Sequence, residues 1–268
     1  MQNILGIIVS PRKLGNSELA VKHIINHIPS PKESELLRLT DKRIESCKAC
    51  YRCLQPESEC VLDDDFNSIM DKIKAASAVI IGLPVYILGP HGMYKQLCDR
   101  LLSSAKYAPY TRGKPCIIVM PYGAHEWKGY SKAASLVLFH LLQMKIVAVW
   151  QPFATLPGEV FLDAYNLEYA AHLGKTIFTA AGFEPDAHSC NLCGSDLLRL
   201  LPERKIECPI CGAKGELNEA GVPNLSSSPY YRFSTEEIDS HFEWLVQMKE
   251  DNRTNRSQLK AVQKMFIE

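Results

Sequence analysis

Short apolar segments alternate with amphipathic segments along the first two thirds of the chain. Five short segments, the second of them partly polar, predict strands, and the continuous apolar ones are typical of parallel strands buried on both faces. The predicted strands are Ile4–Val9, Ser34–Leu39, Ala78–Gly82, Cys116–Met120 and Lys145–Trp150.

Between these strands, apolar residues recur at the spacing of helices. Because strand and helix alternate, the pattern predicts an α/β fold with a doubly wound parallel sheet in the strand order 2-1-3-4-5. Ser131–Met144 is apolar nearly all round, which predicts burial against the sheet and against a further element. The predicted helices cover 19–28, Leu62–Ala76, Met93–Ser104, Ser131–Met144 and Leu167–Ala181.

Three loops follow the first, third and fourth predicted strands, and they are Ser10–Ser17, Pro84–Tyr86 and Pro121–His125. In doubly wound sheets ligands bind beyond the carboxyl ends of the strands, where the strand order reverses. Pro84 cannot continue a β ladder, so the chain turns off the sheet there. We expect these loops to meet at one edge, with His125 and Glu126 as ordinary loop residues.

The loop after the first strand, SPRKLGNS, has the composition of an anion site. A strand, a polar loop with one glycine and a helix together aim free backbone N–H groups at an anion. The alternative is a plain turn in which Asn16 or Ser17 caps the helix. The loop lacks the pattern G-x-x-x-x-G-K-[ST], which excludes an NTPase P-loop. Its hydroxyl, amide and basic side chains belong to Ser10, Arg12, Lys13, Asn16 and Ser17.

A four-cysteine loop follows the second predicted strand with the spacing C-x2-C-x2-C-x6-C, at Cys47, Cys50, Cys53 and Cys60. Thiols at every third position suit a compact iron–sulfur cubane better than a hairpin zinc site, which takes two cysteines per turn. The spacing differs from the bacterial ferredoxin motif after the third cysteine. Asp63, Asp64 and Asp65 come next and read as a solvated helix start favoured by the helix dipole, not as a metal site.

A second cysteine group has the spacing C-x2-C-x14-C-x2-C, at Cys190, Cys193, Cys208 and Cys211. A glycine after each pair allows the tight turn of a metal knuckle, so the group predicts a tetrahedral S4 site. Structural zinc and rubredoxin-type iron use the same ligands, and both remain open. We expect a zinc-ribbon or rubredoxin-like module over 188–217, after a linker at 183–189.

The last fifty residues predict a linker and a helical tail over 218–268. Asn218–Pro229 is rich in glycine, proline and serine, and Ser234 to Glu237 offers a capping box for a helix. Leu259–Phe266 predicts a further short helix. We expect this tail to pack on a neighbouring surface or subunit, and we place the preceding α/β domain at 1–182.

Composition narrows the class of protein. Thirty basic and thirty acidic residues cancel, so no overall field attracts nucleic acid or an anionic membrane, and no apolar run reaches the ~20 residues of a membrane span. The N-terminal segment reads as a strand and not as a signal peptide, which predicts a cytoplasmic protein. Ten cysteines in that compartment indicate metal or redox chemistry. Cys98 and Cys116 lie in helix and strand patterns and read as buried apolar thiols.

The motifs S-P-R-K-x-G-N-S, G-L-P-V-Y and K-Q-L-C-D-R, with the first cysteine run followed by Asp-Asp, resemble one known family over roughly residues 1–182. They are similar to NAD(P)H-dependent FMN reductase-type flavoproteins, and especially to their iron–sulfur flavoprotein branch. The resemblance implies a flavodoxin-like fold. It also implies a phosphate loop at 10–17, ring contacts at 84–87 and 122–123, and a 4Fe–4S cluster on the four cysteines of 47–60. The full set of expected FMN contacts is Ser10, Arg12, Lys13, Gly15, Asn16, Ser17, Pro84, Val85, Tyr86, Ile87, Tyr122 and Gly123.

These features together predict an FMN-dependent oxidoreductase that passes electrons between NAD(P)H or a small redox protein, FMN and the cluster. The resemblance also implies a homo-oligomer, a dimer or a tetramer. No catalytic side chain is expected, because the flavin supplies the chemistry. One alternative is a cluster-free FMN or quinone reductase whose cysteines are reduced or bind zinc. Another is a non-catalytic metal-binding regulator.

Overall fold

The computed structural model describes residues 1–267, which form strands and helices in alternation through most of the chain. In chain order the strands are β1 (Gln2–Ile8), β2 (Lys32–Arg38), β3 (Ala78–Gly82), β4 (Val85–Tyr86), β5 (Gly89–Pro90), β6 (Pro115–Val119), β7 (Lys145–Trp150), β8 (Arg199–Leu200), β9 (Lys205–Glu207), β10 (Lys214–Leu217) and β11 (Pro223–Ser226). The helices are α1 (Asn16–Asn26), α2 (Phe66–Ala75), α3 (Gly92–Asp99), α4 (Ser104–Thr111), α5 (Ser131–Leu141), α6 (Ala164–Thr176), α7 (Thr235–Thr254) and α8 (Arg256–Lys264).

The main sheet has five parallel strands in the order β2-β1-β3-β6-β7. Its strands are the five predicted ones, taken in the predicted spatial order, so the doubly wound fold is confirmed. β1 is an inner strand between β2 and β3, and its residues from Ile4 to Ile8 are buried because both faces of the sheet are covered. A small hairpin of β4 and β5 follows β3 where Pro84 ends the ladder.

Helices cover the sheet on both faces and form two cores. One core packs α2, α3, α4 and α5 against one face, around Phe66, Tyr94 and Phe139. The other packs α1 and α6 against the opposite face. Helix α5 is buried nearly all round because its far side meets the C-terminal ribbon, where Leu141 packs against the ribbon core.

The ribbon is a four-stranded antiparallel sheet in the order β11-β10-β9-β8. Strand β11 lies inside the stretch Asn218–Pro229 that was predicted as a linker, so residues 223–226 belong to the ribbon sheet. The reason is local: Leu225 is buried and exchanges two backbone hydrogen bonds with the side chain of Asn191. Two buried positions among glycine, proline and serine are too few to be visible as a strand pattern.

The tail folds back on its own chain. The Ser234 side chain accepts a hydrogen bond from the Glu237 amide, so the predicted helix cap is confirmed. Helix α7 then packs beside α4 and the single helical turn Arg52–Leu54, where Leu245 lies against Cys53 and Leu54. None of the helices within residues 1–267 combines the length and the apolar content that a membrane span requires.

Candidate functional site

A cavity of about 220 Å³ opens at the carboxyl edge of the main sheet, beside the ends of β1, β3, β6 and β7. Nine of the twelve expected FMN contacts line it. The lining residues are Ser10, Arg12, Gly15, Asn16, Ser17, Pro84, Val85, Tyr86, Pro121, Gly123, Ala154, Thr155 and Pro157.

Three expected contacts do not line the cavity. Lys13 is exposed, and the side chain of Ile87 at the tip of the β4–β5 hairpin is 81% exposed. Tyr122 packs edge-on against Phe153, at 5.5 Å between ring centroids, instead of facing the cavity. The cavity is lined instead by three residues that the sequence did not indicate, Ala154, Thr155 and Pro157.

Helix α1 begins at the cavity without a side-chain cap. Gly15 occupies the N-cap position in an extended conformation, and no side chain accepts a hydrogen bond from the first turn. The plain turn capped by Asn16 or Ser17 is therefore not what forms. Uncapped N–H groups at a helix start, together with the helix dipole, are suited to an anion.

Gly82 has no side chain, which allows the start of α1 to pack closely against the end of β3. A Cβ at that position would lie 2.7 Å from the backbone oxygen of Ser17, which is too close for any side chain. The close approach places the first turn of α1 beside the strand that leads into Pro84 and Tyr86. The loops after β1 and β3 are thus fixed relative to each other by backbone contact.

The Asn16 side chain ties a fourth loop to this edge. Its Nδ2 donates to the Ala154 oxygen at 3.1 Å, and its Oδ1 accepts from the Gly158 amide at 3.0 Å and the Val160 amide at 3.3 Å. These bonds draw the segment after β7 over the cavity. Because the side-chain amide is engaged in this way, Asn16 has its backbone N–H to offer an anion.

An ion pair of the buried Glu18 and the half-buried Arg38, outside the cavity, holds the loop of residues 10–16. Glu18 accepts from the Leu14 amide at 2.7 Å and from Arg38, whose guanidinium also donates to the Ser10 oxygen at 2.8 Å. Burial raises the pKa of Glu18, but hydrogen bonds from Lys22, Arg38 and the Leu14 amide outweigh it and lower the value to about 2. Sequence reasoning missed this pair, because only the fold brings the end of β2 beside the loop.

The first cysteine loop lies apart from the cavity, whose lining includes no residue of 39–65. Cys53 is buried, Cys47 and Cys60 are half-buried and Cys50 is exposed. Lys106 Nζ holds the loop by donating to the Cys53 oxygen at 2.7 Å and to the oxygens of Gln55 and Ser58. Burial, and secondarily the neighbouring thiols, raise the pKa of Cys53.

The surroundings of Cys60 differ from the prediction. The structure begins α2 at Phe66, so the aspartates precede the helix, and the side chain of Asp64 is fully buried in an ion pair with Arg100 at 2.5 Å. Asp64 also accepts from the Glu45 amide at 2.8 Å, which joins the two ends of the cysteine loop. The expected solvated helix start is wrong for Asp64, because its partner lies 36 residues away in sequence.

Two observations bear on whether the first loop fits a cluster. Cys60 Sγ accepts from Arg100 Nη2 at 3.0 Å, and the Cys60 oxygen accepts from Asn67. Within residues 1–267, the buried side-chain polar atoms without a hydrogen-bond partner are Arg100 Nε and Asn67 Oδ1, both on residues that contact Cys60. The Arg100 Nε–H is a donor that calls for an acceptor outside the polypeptide, which the sulfur of a cluster can supply, whereas Asn67 Oδ1 is an acceptor and needs a donor instead. The four thiols are a suitable donor set, so the residues present fit an iron–sulfur cluster.

The second cysteine group forms a closed S4 site. The four sulfurs lie within 4.8 Å of one another, the one such group of metal-binding side chains in the described part of the chain, and all four are buried. Cys190 and Cys211 sulfurs are 3.7 Å apart, and those of Cys193 and Cys208 are 3.6 Å apart. A tetrahedron with metal–sulfur bonds of about 2.3 Å has edges of about 3.8 Å, so these residues fit one tetrahedral ion.

The two remaining cysteines lie outside both groups. Cys116 lies inside β6 and Cys98 packs against the core from α3. Burial raises the pKa of Cys98 to about 12 and that of Cys116 well above its ordinary value, which favours the protonated thiols. Cys116 is thus the buried thiol that was predicted, whereas Cys98 is half-buried against the core.

Two curated relatives carry the name iron–sulfur flavoprotein. The one from Methanocaldococcus jannaschii is 38% identical over 98 residues, which are 36% of this chain and 50% of that protein. The one from Archaeoglobus fulgidus is 29% identical over 125 residues, which are 46% of this chain and 61% of that protein. The chain thus spans about half to three fifths of the length of these relatives.

Two solved structures share the fold at low sequence identity. A flavone reductase has a TM-score of 0.78 and 18% identity, over 99% of this chain and 98% of that one. The NAD(P)H:quinone oxidoreductase from Methanothermobacter marburgensis has a TM-score of 0.52 and 14% identity, over 68% of this chain and 98% of that one. The first likeness extends over the ribbon and the tail as well as the α/β domain.

The sequence profile of NADPH-dependent FMN reductases matches residues 2–155, which is more than half of the chain. This match covers the loops after β1, β3 and β6 that form the cavity. It confirms the resemblance inferred from the S-P-R-K-x-G-N-S and G-L-P-V-Y motifs. The chain therefore belongs to the NADPH-dependent FMN reductase family.

Proposed function

We propose that this protein is an FMN-dependent oxidoreductase that passes electrons between NAD(P)H or a small redox protein, FMN and a 4Fe–4S cluster. The observation that carries the proposal is the uncapped start of α1 in a cavity at the point where the strand order reverses. Family membership supports FMN as the cofactor. The iron–sulfur flavoprotein relatives and the unpartnered Nε donor of Arg100, which contacts Cys60, support the cluster.

The loop of residues 10–17 would bind the phosphate of FMN. The backbone N–H groups of Asn16 and Ser17, at the uncapped start of α1, and the hydroxyls of Ser10 and Ser17 can donate to it. Arg12 lines the same cavity and adds the positive charge that a dianion requires. Lys13 is exposed and contributes through its longer-range charge alone.

The hairpin side of the cavity would hold the isoalloxazine ring. Pro84, Val85 and Tyr86 form one wall, Gly123 lies across from them, and the Ala154–Pro157 segment closes the cavity from β7. These are mainly apolar groups and backbone, which suit a planar ring with polar edges. FMN, when bound, supplies hydride and single-electron redox chemistry, so the wall needs to position it and exclude water, and no side-chain acid or base is required.

Cys47, Cys50, Cys53 and Cys60 would ligate the cluster, which exchanges single electrons. Because their loop lines no part of the flavin cavity of the same chain, we propose that electrons cross between subunits of a homo-oligomer. Exposed apolar side chains on the β4–β5 hairpin and on the segments after β6 and β7 are available for such contacts. They include Tyr86, Ile87, Leu88, Trp127, Tyr130 and Phe153.

The ribbon would hold structural zinc on Cys190, Cys193, Cys208 and Cys211. Its sulfurs and Ile206 form the centre of a core too small to fold without a metal ion. Rubredoxin-type iron fits the same ligands and is the second candidate. Metal analysis distinguishes the two.

Anaerobic purification tests the proposal. We expect one FMN, four iron and four sulfide per chain, with one zinc in the ribbon, measured by absorption spectrum and by metal and sulfide analysis. FMN with zinc and no sulfide would support the cluster-free reductase instead. A preparation free of both flavin and iron after anaerobic reconstitution would overturn the proposal.

A further inference from the structure

Arg100, at the end of α3, is the one charged side chain within residues 1–267 that hydrogen-bonds to a sulfur of the first cysteine loop. Its Nη2 donates to Cys60 Sγ at 3.0 Å, and its Nη1 donates to the Glu45 oxygen at 2.8 Å and to Asp64 at 2.5 Å. The guanidinium also lies over the Phe66 ring, 4.6 Å from its centroid. It is therefore fixed on several sides.

The burial of this pair is unusual for a purely structural ion pair. The side chains of Arg100 and Asp64 are both 0% exposed. Taking two charges out of water costs more than a well-packed apolar pair, so such a pair is weak evidence for a gain in stability. The pair is better explained by what it does to the group it contacts.

After pairing with Asp64, Arg100 still has N–H donors that can bind a thiolate. Asp64 neutralises one unit of charge and orients the guanidinium, while the remaining N–H groups point elsewhere. One of them reaches Cys60, and Nε has no acceptor among residues 1–267. A guanidinium with a spare donor beside a metal-binding sulfur matches the outer contacts that orient the ligands of metal centres and tune their potential.

We propose that Arg100, oriented by Asp64, is a positioning residue of the metal centre: it fixes the Cys60 thiolate and raises the reduction potential of the cluster. This inference rests on the proposed cluster. Reduction adds one electron from the reductant to the cluster and breaks no bond. The hydrogen bond from the guanidinium, which is the cationic end of the ion pair and the end nearer the ligand sulfur, stabilises that added negative charge and shifts the potential upward.

The test compares wild type with Arg100→Lys, Arg100→Gln and the control Lys95→Gln, all reconstituted anaerobically. Lys95 lies on the same helix, pairs with Asp99 and is exposed, so its replacement removes the same charge away from Cys60. Redox titration followed by electron paramagnetic resonance gives the potential. The rate of iron release to a chelator measures how tightly the cluster is held. FMN content and thermal unfolding show whether the variant is folded.

We expect a more negative potential in both Arg100 variants, with the larger shift for Gln, and iron release about tenfold faster. Lys95→Gln should behave as wild type. Loss of the cluster from the Arg100 variants with FMN retained also supports the role. Wild-type potential and release rate in both loaded Arg100 variants would overturn the inference and leave the proposed function standing. A wild type that holds no iron or sulfide would instead overturn the cluster itself.

Discussion

Two side chains outside the cavity, Glu18 and Arg38, hold the loop that would carry the FMN phosphate. Glu18 is 8% exposed and bonds to both Arg38 and the Leu14 amide, while Arg38 reaches the Ser10 oxygen. The phosphate loop is thus rigid before any ligand arrives, which reduces the entropy lost on binding. Residues that never touch the ligand can therefore set its affinity.

Replacement of Glu18 with Gln tests this arrangement. The variant keeps the size of the side chain but loses the charge that fixes Arg38, so we expect the Kd for FMN to rise about tenfold, equivalent to about 1.4 kcal/mol. Flavin fluorescence titration of the apoprotein measures it. Glu35→Gln is the matched control, since Glu35 pairs with Lys72 on the surface. Equal affinity in the two variants would contradict the role of Glu18.

The same carboxylate gives a pH dependence. Its pKa of about 2 in the folded protein lies below its ordinary value of 4.5, so the ionised form stabilises the fold. That contribution, up to about 3 kcal/mol, is complete above pH 4.5 and is lost as the pH falls toward 2. Denaturant unfolding should show wild type more stable than Glu18→Gln at pH 6, with the difference shrinking below pH 4. A difference that does not change over this range would contradict the assignment.

At the scale of elements, α7 covers the first cysteine loop. Leu245 is 6% exposed and packs on Cys53 and Leu54. The ring centroid of Phe242 lies 5.8 Å from the Nζ atom of Lys106, which donates hydrogen bonds to the loop. This helix follows the ribbon in sequence and lies beyond the part of the chain that the family profile matches. The tail is thus part of the surroundings of the candidate cluster.

Leu245→Ala should open this cover. A buried leucine cut to alanine costs about 2–5 kcal/mol, and the resulting cavity forms beside Cys53, so the cluster becomes accessible to oxygen. We expect its absorption to bleach several times faster in air than in wild type, with FMN retained. Val246→Ala on the exposed side of the same helix is the control. Equal bleaching rates in both variants would show that α7 does not protect the loop.

Element boundaries show how far local pattern reaches. Ala78–Gly82 and Lys145–Trp150 coincide with β3 and β7, because their apolar runs are bounded by turns. The predicted helix at Met93–Ser104 divides instead into α3, the turn Leu101–Ser103 and α4. The sequence pattern could not show contacts between residues far apart in the chain. Asp64 pairs with Arg100, Asn16 hydrogen-bonds to the segment after β7, and Leu225 hydrogen-bonds to Asn191.

At the scale of the whole molecule, the ribbon supports the α/β domain through α5. His140 on that helix hydrogen-bonds the Cys193 oxygen at 2.9 Å and stacks on Phe233, and Leu141 joins the ribbon core. The ribbon therefore covers an apolar helix face that water would otherwise contact. The apolar residues nearly all round the predicted helix Ser131–Met144 indicated that a further element covers it. The sequence pattern did not show that this element is the ribbon.

Cys208→Ser tests this dependence. Loss of one ligand should release the ribbon metal and unfold the ribbon, since the sulfurs form its core. We expect rapid proteolysis between 188 and 229 and a lower unfolding temperature, while FMN remains bound because no ribbon residue lines its cavity. Cys98→Ser is the control at a thiol outside both groups. Wild-type proteolysis and metal content in Cys208→Ser would contradict the structural role.

The central claim is that flavin and cluster form one electron-transfer system, and anaerobic reduction by NADPH tests it most directly. Flavin absorbance and the electron paramagnetic resonance signal of the reduced cluster are measured on the same sample. We expect flavin bleaching to be accompanied by a cluster signal in wild type, whereas Cys53→Ala should bleach without that signal. A wild type whose flavin is reduced while its loaded cluster stays oxidised would show that the two centres do not exchange electrons.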